Sequence, residues 1–113
     1  MNKDPLVFIQ HMLESINLIE NFTKNITKEQ FLNNQLIQSG VVRQLEIIGE
    51  AAKHLPKEFT QKYQVIPWSE IAKTRDKLIH YYFDVNLNLT WNIIEKDITP
   101  LKSQLQTILK ELK

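Results

Sequence analysis

The sequence predicts an all-α fold: an up-and-down bundle of four principal helices plus short ones, in a single domain covering residues 1–113. Three observations predict it. Apolar residues recur at three- and four-residue spacing almost everywhere along the chain. Only 2 glycines and 4 prolines punctuate 113 residues, too few for the turns of an all-β domain. The composition, 42% apolar and 24% charged, is that of an ordinary globular domain, and the length suits one hydrophobic core.

Each element has its own justification. Asp4-Pro5 starts the first helix, with Asp as N-cap and Pro at the first helical position. Leu6, Ile9, Leu13 and Ile16 then keep helical spacing as far as a last turn near Phe22. Thr27, with Gln30 three residues on, forms a capping box for a short helix carrying Phe31 and Leu32. Ile37, Val41, Leu45, Ile48, Ala52 and Leu55 are one stripe of a long helix that Pro56 stops. The connecting "KEFTQKYQVI" has room for one helical turn. Pro67-Trp68-Ser69 opens the third principal helix, with Ile71, Ala72, Leu78 and Ile79 facing inward and an end expected near residues 82–86. Asn86 or Asn88 caps the last helix, whose stripe runs from Trp91 through Ile94, Ile98, Leu101, Leu105 and Ile108 to Leu112. Pro100 falls inside that stripe and predicts a kink or break. Gly40 and Gly49 lie inside the long helix, where each costs about 1 kcal/mol relative to Ala. Gly49 is either a tolerated imperfection or a point of close approach, within the bundle or across a dimer interface.

Composition excludes several function classes. With no cysteine, the chain makes no disulfides, zinc–thiolate sites or cysteine nucleophiles, which suits a reducing cytoplasm. No apolar run approaches the ~20 residues of a membrane span, and "MNKDPLVF" lacks the apolar core of a signal peptide. The net charge is +1, so any attraction to nucleic acid is local or concentrated by assembly.

The stretch with chemistry in it is "KTRDKLIHYYFD", residues 73–84. On a straight helix Arg75 and Tyr82 point within about 20° of each other, while Arg75 and His80 diverge by roughly 140°. Asp76 and His80, at i and i+4, would be neighbours. A single straight helix therefore does not aim Arg75 and His80 at one small substrate; either the helix ends before His80, or two copies of the motif assemble the site. The residue types suit phosphodiester cleavage. Histidine moves protons near neutral pH, and arginine offers a planar fork to phosphate oxygens and to transition-state charge. Asp76 is placed to orient either of them. The same pattern also fits a solvated helix face, with an Asp76–His80 pair and packing by Tyr81 and Phe83.

Other charged groups have two readings. Arg43, Glu46 and Glu50 share a face as a solvated ion-pair row, or Glu46 or Glu50 borders a dimer cleft and orients the motif. Lys53, Lys73 and Lys77 are solvated, or supply phosphate contacts around that cleft. His11 and His54 read as surface residues, and Trp68 and Trp91 as core.

Arg75-x4-His80-x-Tyr82, near a helix end in a small all-α chain, resembles the R-x4-6-H motif of the HEPN superfamily, in the extended form found in HepT-like toxins. "LEIIGEAAKHL" at 45–55, "IPWSEIAKTRDKLIHYYFDV" at 66–85 and "TWNIIEKDITPL" at 90–101 keep the family's order and spacing over about half the chain. One departure is Asp76, where HepT-like proteins often carry Asn; a carboxylate there weakens the pull of Arg75 on phosphate. The resemblance implies a metal-independent endoribonuclease without cofactor, acting as the toxin of a toxin–antitoxin system. It implies Arg75 as phosphate binder, His80 as general acid or base, and Asp76 as orienting residue. It further implies a homodimer with both motifs in one cleft, and an MntA-type minimal nucleotidyltransferase antitoxin that transfers AMP to Tyr82. The competing reading is a non-catalytic helical module that binds nucleotide or RNA and serves as partner and substrate of the nucleotidyltransferase.

Overall fold

Asp4 starts the first helix as the sequence predicts: its carboxylate accepts a hydrogen bond from the Leu6 amide at 3.0 Å, and Pro5 follows at the first helical position. The structure, a computed structural model, describes residues 4–81 and 84–113, with the backbone alone described for His80 and Tyr81. Helix α1 (Pro5–Thr23) buries Ile9, Met12, Ile16 and Ile19 completely. Asn25 turns the chain in the left-handed region (φ 60°), a conformation its short polar side chain tolerates. Helix α2 (Lys28–Leu32) carries the full capping box, the Gln30 amide donating to Thr27 Oγ1 at 3.1 Å and the Thr27 amide to Gln30 Oε1 at 2.8 Å.

Helix α3 (Gln35–Lys53) is capped by Asn34 and lies centrally against α1. Its stripe of Val41, Leu45, Ile48 and Ala52 is buried, and so is Leu55 just past its end. Pro56 leads into α4 (Lys57–Lys62). Phe59 there packs against Trp68, whose indole N–H donates to the Tyr63 carbonyl at 3.0 Å. Both tryptophans are core, and Trp91 stacks obliquely on Phe31.

The third principal helix differs from expectation. It is two short pieces, α5 (Trp68–Ala72) and α6 (Thr74–Leu78), separated by a turn at Lys73. The chain then leaves helical geometry altogether. Strand β1 (Ile79–Tyr81) pairs antiparallel with β2 (Asp84–Val85), Ile79 opposite Val85 and Tyr81 opposite Asp84, with an irregularity between. The helix thus ends at Leu78, not near residues 82–86, and Ile79 lies in a strand. Asn86 closes the hairpin by donating its amide to the Leu78 carbonyl at 2.7 Å. Its side chain caps α7 (Leu87–Asn92), accepting from the Leu89 amide at 3.0 Å.

Pro100 does disturb the last helix, one turn before its own position. A π turn, Ile93–Asp97, separates α7 from α8 (Ile98–Leu112). Proline has no N–H and its ring collides with the carbonyl four residues back, here Lys96, so the widened turn sits where that carbonyl is. Ile98, Leu101, Leu105 and Ile108 remain buried along the stripe, and α8 packs on α1. The all-α class stands, with the small hairpin as an addition. Among the described residues no helix is long and apolar enough to cross a membrane.

Candidate active site

The site is set by how closely α5 approaches α3. A Cβ built on Gly49 would lie 3.1 Å from the Ile71 carbonyl oxygen and 3.7 Å from that of Ala72. Gly49 is thus a point of close approach within the bundle, and it lets the end of α5 rest on α3. There the Thr74 hydroxyl donates to the Ile71 carbonyl at 2.7 Å, taking a backbone acceptor that a continuous helix would use itself. The chain breaks at Lys73 and restarts as α6 with Arg75 in its first turn.

Arg75 lies across from the polar edge of α3, and its Nε donates to Glu46 Oε2 at 3.0 Å. The Arg75 side chain is 56% exposed and that of Glu46 26%. A guanidinium held through Nε keeps a second fork of N–H donors for a planar anion. Glu46 thus meets the motif arginine directly, within one chain. Glu50, one turn along, pairs instead with Lys53 at 3.4 Å and is well exposed. Arg43 is exposed.

Of the two ways out of the angular conflict between Arg75 and His80, the backbone takes the first: the helix ends before His80. The Ile79 amide donates to the Arg75 carbonyl, and His80 follows in β1. One expectation built on a straight helix is corrected by this: Asp76 and His80 are not an i,i+4 helical pair. Tyr82 itself lies outside the described residues, as do the side chains of His80 and Tyr81, and with them the expected inward packing of Tyr81. Asp76 and Lys73 are exposed, and Lys77 lies 4.0 Å from Glu70. His11 is exposed, and His54, also exposed, stacks on Phe8 and holds the Glu50 carbonyl through Nδ1 at 2.8 Å. Among the described residues no group of three or more His, Asp or Glu side chains converges as a metal cage would.

Sequence reasoning missed one feature beside the motif. A groove of about 380 Å³ opens between α5–α6 and the α7–α8 run, with Thr74 and Lys77 on one wall and Lys96, Asp97 and Gln104 on the other. The signal for it was Pro100, which placed a disturbed turn next to that wall. Away from this region, Tyr63 donates to Glu111 Oε2 at 2.8 Å, and the carboxylate acceptor raises its phenol pKa.

The family model "Ribonuclease HepT-like" matches residues 12–108. A Methanocaldococcus jannaschii protein named "Gamma-glutamylcyclotransferase and putative RNase MJ0434" is 49% identical over 99% of this chain, which spans only 50% of that relative. "Putative RNase TTE0752" of Caldanaerobacter subterraneus is 43% identical over 98% of this chain and 99% of its own length. "Probable ribonuclease HepT" of Thermococcus cleftensis is 43% identical over 91% of this chain and 94% of its own. No solved structure gives a significant match. A family match across the α1–α8 core, with the arginine of the motif held against α3, places this chain in the HepT-like ribonuclease family.

Proposed function

We propose that the chain is a metal-independent endoribonuclease and the toxin of a toxin–antitoxin pair. The observation that carries the reading is Arg75, held by Glu46 through one side of its guanidinium and more than half exposed, just before the helix gives way to the strand bearing His80. In this reading the ribose 2′-oxygen attacks the adjacent phosphorus and the bond to the 5′-oxygen breaks. The products are a 2′,3′-cyclic phosphate and a 5′-hydroxyl. Arg75 binds the phosphate oxygens and stabilises their developing charge. His80 accepts the 2′-hydroxyl proton or supplies one to the leaving oxygen. Asp76 orients the motif. Two copies of the chain bring two such motifs into one cleft.

The motif tyrosine, Tyr82, is the acceptor for AMP from an MntA-type nucleotidyltransferase. A phosphodiester there pairs with Arg75 and occupies the place of RNA phosphate. The experiment is expression without partner, beside purified-protein cleavage in EDTA. Growth arrest and cyclic-phosphate ends are expected, both lost in His80→Ala and Arg75→Ala at equal protein level. Equal toxicity of His80→Ala would sink the catalytic assignment, and RNA bound but left intact by the wild type would favour the non-catalytic binding module. Peptide mapping after incubation with the nucleotidyltransferase and ATP should find AMP on Tyr82 and not on Tyr81.

A further inference from the structure

The groove beside α6 has an aliphatic floor, made by Ile48 of α3, Ile71 of α5, Ile93 of the π turn and Leu101 of α8. Its rim is charged and mixed: Glu70 and Lys77 on one side, Lys96 and Asp97 on the other. The π turn forms part of that second wall and brings Ile93, Lys96 and Asp97 to one face of it. At about 380 Å³ it lies within the range of small-ligand pockets.

We propose that this groove is a base-binding subsite, taking one nucleobase of the RNA strand whose scissile phosphate lies at Arg75, and favouring guanine most and uracil least. The proposal rests on the ribonuclease reading of Arg75. Three observations carry it. The first is continuity: Thr74 and Lys77, which line the groove, flank Arg75 on the same short helix. A helix with its side chains is about 10–12 Å across, roughly one or two nucleotides of extended strand. The second is charge: Lys77, exposed and only loosely paired with Glu70 at 4.0 Å, and Lys96 line the groove on opposite sides, where the phosphates flanking a bound base would pass. The third is the pairing of an aliphatic floor with rim carboxylates. A single-stranded base splayed from its stack buries its faces against apolar side chains and is read along its edge. A carboxylate only accepts hydrogen bonds. Guanine presents two adjacent donors, its ring N–H and exocyclic amine, that match one carboxylate. Adenine and cytosine present one amine. Uracil presents a single N–H flanked by two carbonyls that repel a carboxylate.

The test uses the full chain with labelled Ile and Leu methyl groups, titrated with each of the four nucleoside 5′-monophosphates. GMP should shift the methyls of Ile71, Ile93 and Leu101 at a concentration about tenfold below that needed by UMP. Gln104→Trp, which fills the groove, should remove the shifts. Asp97→Asn combined with Glu70→Gln keeps the shape and should erase the guanine preference. Equal response to all four nucleotides, shifts mapping elsewhere, or a preference that survives the double amide variant would each overturn the proposal. A second arm uses short RNAs blocked by a 2′-O-methyl group at the attacking sugar. Changing the neighbouring guanine to uracil should weaken binding to the wild type and not to Gln104→Trp. Mononucleotide binding without that base effect would make the groove an effector site and overturn the subsite. Cleavage of unblocked RNA, measured in parallel, separates the two readings. Groove binding without cleavage removes the ribonuclease reading alone; cleavage with silent groove methyls removes the subsite alone.

Discussion

Replacing Glu46 tests the arrangement of the site most directly. The carboxylate meets Arg75 through Nε at 3.0 Å, with the arginine side chain 56% exposed and the glutamate 26%. An ion pair this open to water contributes little to folding, about 0.2–1 kcal/mol after solvent screening. Its larger effect is on order. A free arginine side chain carries about 2 kcal/mol of rotamer entropy, and the Nε bond removes part of that freedom before phosphate arrives. If transition-state binding must otherwise supply all of it, Glu46→Ala loses up to about 30-fold in kcat/KM. Glu46→Gln keeps an oxygen acceptor for Nε and loses only charge, so it should stay within roughly threefold of wild type. Cleavage kinetics on a short fluorescent RNA, with urea unfolding of the same preparations, reads both quantities. The expected pattern is a large kinetic loss in Glu46→Ala beside an unfolding change below about 1 kcal/mol. A Glu46→Ala enzyme as fast as wild type, or faster, would refute the reasoning, because Glu46 would then be competing with phosphate for Arg75.

The two glycines of α3 should respond oppositely to alanine. At Gly49 the new methyl meets the Ile71 backbone at 3.1 Å. A gain of about 1 kcal/mol in helix propensity is then offset by roughly 1–3 kcal/mol of overpacking, so Gly49→Ala should lose stability and, by pushing α5 outward, activity. At Gly40 the neighbour is the Phe22 ring at 3.0 Å, a half-buried side chain that can turn aside, so Gly40→Ala should gain about 0.5–1 kcal/mol; urea midpoints that rank the two the other way would contradict the close-approach account. Asn86→Ala removes the α7 cap and should cost about 1 kcal/mol, with faster amide exchange at the hairpin base, where the Asn86 N–H holds the Leu78 carbonyl at 2.7 Å.

Local chemistry made most of the fold legible. Asp4-Pro5, the Thr27–Gln30 box and Asn86 each satisfy orphan amides within a few residues, so sequence alone locates them. The stripes of α1, α3 and α8 are likewise legible because burial of one helix face is a periodic property. The break at Lys73 was not, since Ile71, Ala72, Leu78 and Ile79 fit a helical period whether or not the helix is continuous. What breaks it is tertiary and side-chain competition: the contact with Gly49, and the Thr74 hydroxyl on the Ile71 carbonyl. The hairpin had a signal that periodicity does not weigh. "IHYYFDV" is a β-branched and aromatic run, of the kind strands favour. For the site, the motif was legible as residue types, and Glu46 as one of two candidates on a charged face. Choosing Glu46 over Glu50 needed the placement of α6 on α3, which no local pattern encodes. Pro100 located a disturbance but not its form, because the ring acts on the carbonyl four residues back.

Ending the helix at Leu78 changes the grounds for a dimer. On a straight helix, two copies were one way to bring Arg75 and His80 together; with His80 on a strand, a single chain is no longer barred by that angle. The remaining physical ground is charge. Between residues 70 and 80 the chain carries Lys73, Arg75 and Lys77 against Glu70 and Asp76, a weak field for a polyanion, and two motifs in one cleft would double it. Salt dependence counts the motifs. Each cation that neutralises a phosphate of single-stranded RNA contributes about −0.7 to the slope of log K against log salt. One motif with its three cations therefore gives a slope of about −2, and two motifs facing one strand give about −4, on an RNA too short to reach Lys96 in the groove. Binding of an uncleavable RNA to the wild type, measured across a salt series at a protein concentration where sedimentation fixes the oligomer, should return the steeper value. Arg75→Ala should flatten it by about 1.4 when both copies contribute and by about 0.7 when one does. A slope near −2 from a dimer would mean that the two motifs act on separate strands, and the composite cleft would fall.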